Sequence, residues 1–470
     1  MKTMKKILSV ALVLAMLATC AVQSVFMASA EEAKVINDNN GWGIFTEGGN
    51  VNRSGNNIRI VGGKYDNVFL GHGTATYNIT SNVTYTFEAG EFDNVYLHSK
   101  KAGSISGNII YNVNGGTFKN GIMMGGIGDY GLAAGSVTFG NIAVIVDGGS
   151  ENLSLKKIAS TGRTPLRLLD ENGKNTIGVW MAIVNNCTDA TIPTLSGNAG
   201  NQTKLTTSTD PKFIDITQFN NGDYNMYVKG GEAQPVFDGT TFKGFTLKSN
   251  IDGLVPKVTY NYHRSSDDTI RKAVAYPVAD ENGVYDLSTC NSGLSVKDNR
   301  SNYVTIVEFV PVAEALGASL RFKNSDDNFN GIRFGMKFSQ GYVTGANTDA
   351  ANFGVILMAK SVYDSQVAWT LDELKAHDKA RVATGKVSIW DPAAETYTVN
   401  AVLYNIPEAN YESGIIAIPY IGDTLYTDKA IVRSMFSVAK ACVEDENASE
   451  EAKAYCQGIL GAKDAPTSGT

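Results

Sequence analysis

Asn82-Val-Thr-Tyr-Thr-Phe-Glu-Ala-Gly90, Asn108-Ile-Ile-Tyr-Asn-Val-Asn-Gly-Gly116 and Asn141-Ile-Ala-Val-Ile-Val-Asp-Gly-Gly149 decide how this chain folds. In each, Asn and the last Gly stand eight residues apart, and every second side chain between them is apolar: Val83, Tyr85 and Phe87, then Ile109, Tyr111 and Val113, then Ile142, Val144 and Val146. A period of two with one apolar set is the mark of a strand with one buried face. The residues beyond the glycine recur as well. Gly63, Gly90 and Gly116 are spaced by 27 and 26, and are followed by Tyr65, Phe92 and Phe118, by Asn67, Asn94 and Asn120, and by Leu70, Leu97 and Met123. A fourth copy, Gly148-Gly149-Ser-Glu-Asn152-Leu-Ser-Leu155, lacks the aromatic and comes after the Gly-rich insertion Gly125 to Gly135.

Units this short cannot bury an apolar face alone, so they must stack. Stacking places equivalent residues ~4.8 Å apart, with the aromatics as an inner column and the Asn side chains as a ladder at a bend. Gly and Asn suit that bend because they adopt left-handed backbone at least cost. The pattern resembles the right-handed parallel β-helix of pectate-lyase-like enzymes and of many bacterial adhesins. The resemblance is clear over residues 55 to 155 and rests on composition from 156 to 250; it implies a fold and carries no activity with it. Thr176 to Val184 and Lys212 to Ile216 still read as strands, and polar Thr188 to Asp210 reads as an excursion.

Of the 48 Gly, 33 lie in residues 31 to 250 and 15 in residues 251 to 470, so the expectation is a β-helix domain over 31–250 and a different domain over 251–470. The second carries short β runs at Val258 to Tyr262, Tyr303 to Val310, Gly331 to Phe338, Phe353 to Ala359, Lys386 to Trp390, Tyr397 to Tyr404 and Gly414 to Tyr420, the pattern of a β-sandwich. Thr370-Leu-Asp-Glu373 is a capping box opening a helix over Leu371 to Ala380. A helical pair is predicted over Lys429 to Val443 and Ala448 to Leu460, with Asn447 and Glu450 capping the second helix. Gly317-Ala-Ser-Leu-Arg-Phe322, Gly331-Ile-Arg-Phe-Gly335, Tyr397 to Pro407, Ile418-Pro-Tyr420 and Val432-Arg-Ser434 are similar to an accessory module of secreted proteins from Gram-positive gut and soil bacteria. That resemblance implies an extracellular β-rich domain without an assigned chemistry.

Residues 1–30 read as a secretory signal: lysines before Ile7, an apolar run to Ala21, and Ala28-Ser29-Ala30 for the peptidase. An uncleaved anchor is the rival reading, and Leu17-Ala18-Thr19-Cys20 is a weaker lipoprotein-like match. With cleavage, no membrane span is expected. The chain has 470 residues and a formal charge of −7, and losing the leader's lysines makes it more negative. A nucleic-acid partner is disfavoured, since no basic stripe exists to neutralise phosphates. Among five Cys there is no Cys-x-x-Cys pair and no neighbouring His, so no metal or other cofactor is predicted. Cys442 and Cys456 flank an acidic segment as either a bridge or packed thiols.

Candidate chemistry is sparse. Asp66 and Asp93 occupy the same repeat position with Glu91 nearby, which sets two carboxylates at about the separation a retaining glycosidase uses. The third copy has Lys119 there, and acids beside an Asn bend commonly face water. Arg163-Thr-Pro-Leu-Arg167 is similar to the Arg-x-Pro-x-x-Arg signature of pectate lyases, one residue too short, and no acid cluster for calcium accompanies it. Tyr96, Tyr130 and Trp180 would stack on sugar rings if exposed. These observations predict a secreted or cell-surface, non-enzymatic protein that binds glycan or a host or cell-wall surface through the β-helix face. A polysaccharide lyase or glycoside hydrolase on the same scaffold is the alternative.

Overall fold

The computed structural model describes residues 34–37, 52–53, 56–69, 77–80, 82–97, 103–124, 137–159, 166–167, 178–195, 205–206, 208–216, 219, 223–264, 269–288, 303–321, 330–346, 352–392 and 394–461. Over these residues the protein is mainly β, with helices at its C-terminal end. Two compact units divide the chain. One holds the described residues up to Ile251 together with Val258–Glu308; the other holds Asp252–Lys257 and the described residues from Phe309 onward.

In the first unit, strands Asn56–Phe69, Val83–Tyr96, Gly103–Val113, Val137–Asp147, Trp180–Cys187 and Tyr224–Lys229 each pair in parallel with the next. Equivalent residues of the repeat face one another: Ile60, Phe87, Val113, Val146 and Val184 form one continuous line of partners. All five are buried. The period of two thus becomes a single apolar face shared by successive copies, and Tyr65, Phe92 and Phe118 pack along it with ring centroids 5.2 and 4.8 Å apart. Gly63, Gly90 and Gly116 occur at φ +103°, +129° and +107°, where a side chain would strain the backbone. At Gly116 a Cβ would also lie 3.0 Å from the Phe92 ring and 3.2 Å from the Gly90 carbonyl oxygen.

Two expectations are corrected here. The fourth copy aligns further along the chain than glycine spacing suggests: Leu153 pairs with Gly116, Leu155 with Phe118 and Ile158 with Ile122. Gly148 to Glu151 loop out as an extended turn, tied by the Ser150 N–H to the Asp147 carbonyl at 3.2 Å, so the apolar leucines rather than the glycines set the register. The first unit also runs past residue 250. Antiparallel pairs Gly231–Asp238 with Thr241–Ser249 and Leu254–Arg264 with Thr269–Ala275 intervene, and then Met226, Tyr227 and Val228 find parallel partners in Thr305, Ile306 and Val307. Glycine density falls at the glycine-free hairpin Leu254–Ala275, inside the unit rather than at its end. Of the excursion from Thr188 to Asp210, Thr194–Leu195 pairs antiparallel with Leu205–Thr206.

The second unit contains two antiparallel sheets. One is ordered Ala313–Arg321, Gly331–Ser339, Thr396–Tyr404, Ile389–Asp391; the other places Phe353–Ala359 between Arg381–Thr384 and Ile415–Ile421, with Thr424–Leu425 and Ile431–Arg433 both on Ile415–Ile421. Phe334, Met336 and Phe338 of the first and Val355, Leu357 and Ala417 of the second share one apolar core. The predicted strand Lys386 to Trp390 is a 3-10 turn, Gly385–Val387, followed by Ile389–Asp391. Gly385 lies so close to Phe353 that a Cβ would come within 2.0 Å of its ring, so the position admits only glycine.

The capping box at Thr370 forms with both reciprocal bonds, although its helix, Leu371–Ala376, ends early because His377 is extended. The C-terminal helices are Met435–Glu444 and Glu450–Gly461. Ser434 caps the first in a reciprocal pair with Ser437. At the start of the second, Ser449 Oγ accepts from the Ala452 N–H at 3.1 Å, and Asn447 instead turns its N–H to Asp445 Oδ1. Lys429 closes a 3-10 turn, Thr427–Lys429, and the predicted stretch 430–434 is not helical, because Ile431–Arg433 pairs with Ile415–Ala417.

Candidate functional site

The repeated bend presents polar side chains in columns. Asp66 and Asp93 lie at equivalent positions on paired strands, between the partners Tyr65 with Phe92 and Asn67 with Asn94. Lys119, the residue after Phe118, continues the column, and its Nζ stands 2.6 Å from Asp93 Oδ1. That hydrogen bond, with the further charges of Glu91 and Asp66, raises the Lys119 ammonium above its ordinary pKa. One step along, Lys64 Nζ lies 3.3 Å from Glu91 Oε2. Beside the carboxylates the amides link up: Asn120 Nδ2 donates to Asn94 Oδ1 at 3.0 Å, and Asn94 Nδ2 donates to the Asp66 carbonyl at 3.2 Å. On the neighbouring strand segment Arg59 grips Glu88 through two bonds of 2.7 and 2.8 Å, which holds the Glu88 carboxyl below the usual carboxylate range.

This arrangement fixes what the face can do. Asp66 and Glu91 are exposed, and Asp93 is engaged by Lys119. The face is a set of mutually compensated charges and amides repeated at the strand spacing of ~4.8 Å. Such groups exchange hydrogen bonds with a polar ligand without a large desolvation cost.

The aromatic candidates lie elsewhere. Tyr96 is 8% exposed and stacks on Phe69 at 5.1 Å, and Trp180 is 1% exposed with its Nε1 donating to the Gly140 carbonyl at 2.9 Å. Neither ring meets the condition of exposure that sugar stacking requires; both are part of the interior. Trp180 shares its face of the strand with Ala182 and Val184, whereas Tyr96 lies between Val95 and Leu97, pointing away from the face those two share, and is covered there as well. Tyr130 and Arg163 lie outside the described residues. Arg167 belongs to the short strand Leu166–Arg167, paired with Thr138 and Phe139, and its side chain is outside them as well.

A second ladder runs through the asparagines that open each copy. Asn108 N–H donates to Asn82 Oδ1 at 3.0 Å, Asn141 Nδ2 donates to Asn108 Oδ1 at 2.5 Å, and Asn141 Oδ1 accepts from the Val179 N–H at 2.8 Å. Asn108 and Asn141 are buried, and their amides also donate to the carbonyls of Gly239 and Thr240 at 2.8 Å each. This ladder is structural: it closes the backbone groups of one bend onto the hairpin Gly231–Ser249.

In the second unit a cleft of about 700 Å³ opens between Arg381–Ala383 and Ala401–Asn405, with Tyr404 half-exposed under the Arg321 guanidinium at 5.1 Å. Among the described residues no three His, Cys, Asp or Glu side chains gather as a metal-binding group, and no helix is long and apolar enough to cross a membrane. No family model, no curated protein and no solved structure matches the chain.

Proposed function

We propose that this is a secreted or cell-surface, non-enzymatic binding protein of a Gram-positive bacterium. Its first unit is a right-handed parallel β-helix, its second a β-sandwich accessory module, and its ligand a polysaccharide or another repeating surface polymer of a host or cell wall. The parallel, in-register pairing of successive copies supports the helix, and the right-handedness follows from the general preference of parallel crossovers. The leader-like residues 1–30 support export.

The observation that carries the binding role is the column Asp66, Asp93, Lys119 with Lys64, Glu91, Asn94 and Asn120 beside it. A row of polar groups repeating at a fixed interval suits a ligand that also repeats, since each added unit gains the same bonds and avidity accumulates. The ion pairs within the column favour binding over hydrolysis, because they leave the carboxylates engaged as acceptors rather than poised as an acid and a nucleophile.

The test is polysaccharide pull-down and glycan-array binding of the mature chain beside the double variant Asn94→Ala and Asn120→Ala. Retention of at least one polymer, reduced about tenfold or more in the variant, supports the reading. No retention on any polymer, or release of new reducing ends or unsaturated products that Asp93→Asn abolishes, overturns it in favour of the hydrolase or lyase.

A further inference from the structure

Helices Met435–Glu444 and Glu450–Gly461 pack against each other and seat Cys442 and Cys456 in one apolar core. Cys442 is half-buried and Cys456 wholly buried. Both line a second cleft of about 440 Å³, whose other residues include Arg333 and Arg433, with Asp445 beside them. The two cysteines line one opening with their thiols in hydrogen-bonding reach of each other, and of the two only the half-buried Cys442 is open to a small molecule from solvent. Cys187, by contrast, is sealed in the first unit, its thiol donating to the Val184 carbonyl at 3.3 Å.

We propose that Cys442 and Cys456 form a thiol pair that is converted to an intramolecular disulfide by exchange with a low-molecular-weight disulfide entering this cleft. Cys442 reacts first because it is the accessible member of the pair. Its thiolate attacks one sulfur of the incoming disulfide; the S–S bond breaks, one small thiolate leaves, and a mixed disulfide remains on Cys442. Cys456 then gives up its proton, attacks the Cys442 sulfur and expels the second small thiol. Two protein thiols are oxidised, one small disulfide is reduced to two thiols, and nothing else is consumed. Burial, and after it the hydrogen bond with Cys442, raises the Cys456 thiol above its ordinary value; its attack comes second and within the molecule, where proximity to Cys442 offsets the smaller thiolate fraction. Arg333 and Arg433 outnumber the one carboxylate of the lining, Asp445, which favours an anionic disulfide such as oxidised glutathione over a cationic one.

The link closes a short loop across the acidic segment Glu444 to Glu451, and loop closure of that length stabilises mainly by restricting the unfolded chain. The inference stands on the second unit alone and is independent of what the first unit binds.

The experiment incubates the reduced full chain with oxidised glutathione, or with cystamine as its cationic counterpart. Free thiols are then alkylated and the protein is mapped by peptide mass spectrometry, with thermal unfolding in parallel. A Cys442–Cys456 cross-linked peptide, formed faster with oxidised glutathione, and an unfolding temperature raised by roughly 5 °C or more in the wild type but not in Cys442→Ser or Cys456→Ser, are expected. Separate alkylation of both cysteines, a persistent glutathione adduct on Cys442, or a cross-link to Cys290 instead overturns the proposal. Cys456→Ser supplies a check that needs no stable fold change: it should trap the mixed disulfide on Cys442, and its failure to do so also counts against the proposed order of attack.

Discussion

Asn141 binds two acceptors and one donor at once, and all three bonds are lost on truncation. Replacing it with Ala orphans the Val179 N–H and the Asn108 side-chain oxygen in a buried setting, and frees the carbonyl of the exposed Thr240. An orphaned buried polar group costs about 1–3 kcal/mol, so Asn141→Ala should lose roughly 2–4 kcal/mol in urea unfolding. Asn94→Ala, in the exposed ladder, should cost under about 1 kcal/mol, because water takes over its bonds. Equal losses at the two positions would mean that the buried ladder does not hold the bend. Cys187 gives a pH prediction. Burial raises its thiol from 9.0 to about 12, so its neutral form contributes stability that is complete below pH 9 and drains away as pH rises from there through the folded value. Stability should fall by roughly 2 kcal/mol between pH 9 and about pH 10.5, and Cys187→Ala should show a flatter decline over that window. An unchanged slope in the variant would assign the alkaline loss to other groups such as Tyr227, which burial also raises.

Among elements, the aromatic column sets the scale of packing. Phe92 is fully buried between Tyr65 and Phe118 and meets Phe87 edge-on at 5.3 Å. Phe92→Ala removes three ring contacts and opens a cavity that a parallel stack cannot close by moving one strand, so a loss of about 3–5 kcal/mol is expected in chemical denaturation. Val387→Ala, on an exposed turn, should change stability by no more than about 0.5 kcal/mol and serves as the control. Strand identity was legible in the sequence because the period of two and the recurring Gly and Asn arise from the same constraint, one buried face and one tight bend per copy. Helix starts were legible where side chains bond locally, as at Thr370 and Glu373. Two departures have different causes: Asn447 turns locally to Asp445 and leaves Ser449 to cap the last helix, while residues 431–433 pair as a strand with the distant Ile415–Ala417. Local propensity does not contain the second of these contacts.

For the whole molecule, the division into units was visible in the glycine count, but its position was not. The parallel pairing of Tyr224–Lys229 with Tyr303–Pro311 spans some seventy intervening residues, including two hairpins, and composition averages over all of them. The candidate site was legible only in part. The equivalence of Asp66 and Asp93 followed from spacing, and Lys119 was already visible as the next residue in that column. That Lys119 closes onto Asp93, and that Tyr96 and Trp180 are buried, required the fold.

Parallel, in-register stacking of the copies is the claim on which the polar face, the aromatic column and the binding reading all rest. It is tested most directly by pairs of exposed cysteines placed at the bend, in a chain whose own cysteines are replaced by Ser or Ala. Asp66→Cys with Asp93→Cys, and Asp93→Cys with Lys119→Cys, join residues on paired strands, within the reach of a disulfide. Asp66→Cys with Lys119→Cys are two strand spacings apart, ~9.6 Å, and out of reach. Mild oxidation followed by peptide mapping should give near-complete cross-linking of the first two pairs and none of the third. Cross-linking of 66 to 119, or failure of both adjacent pairs in a protein that still unfolds cooperatively, would contradict the stacking.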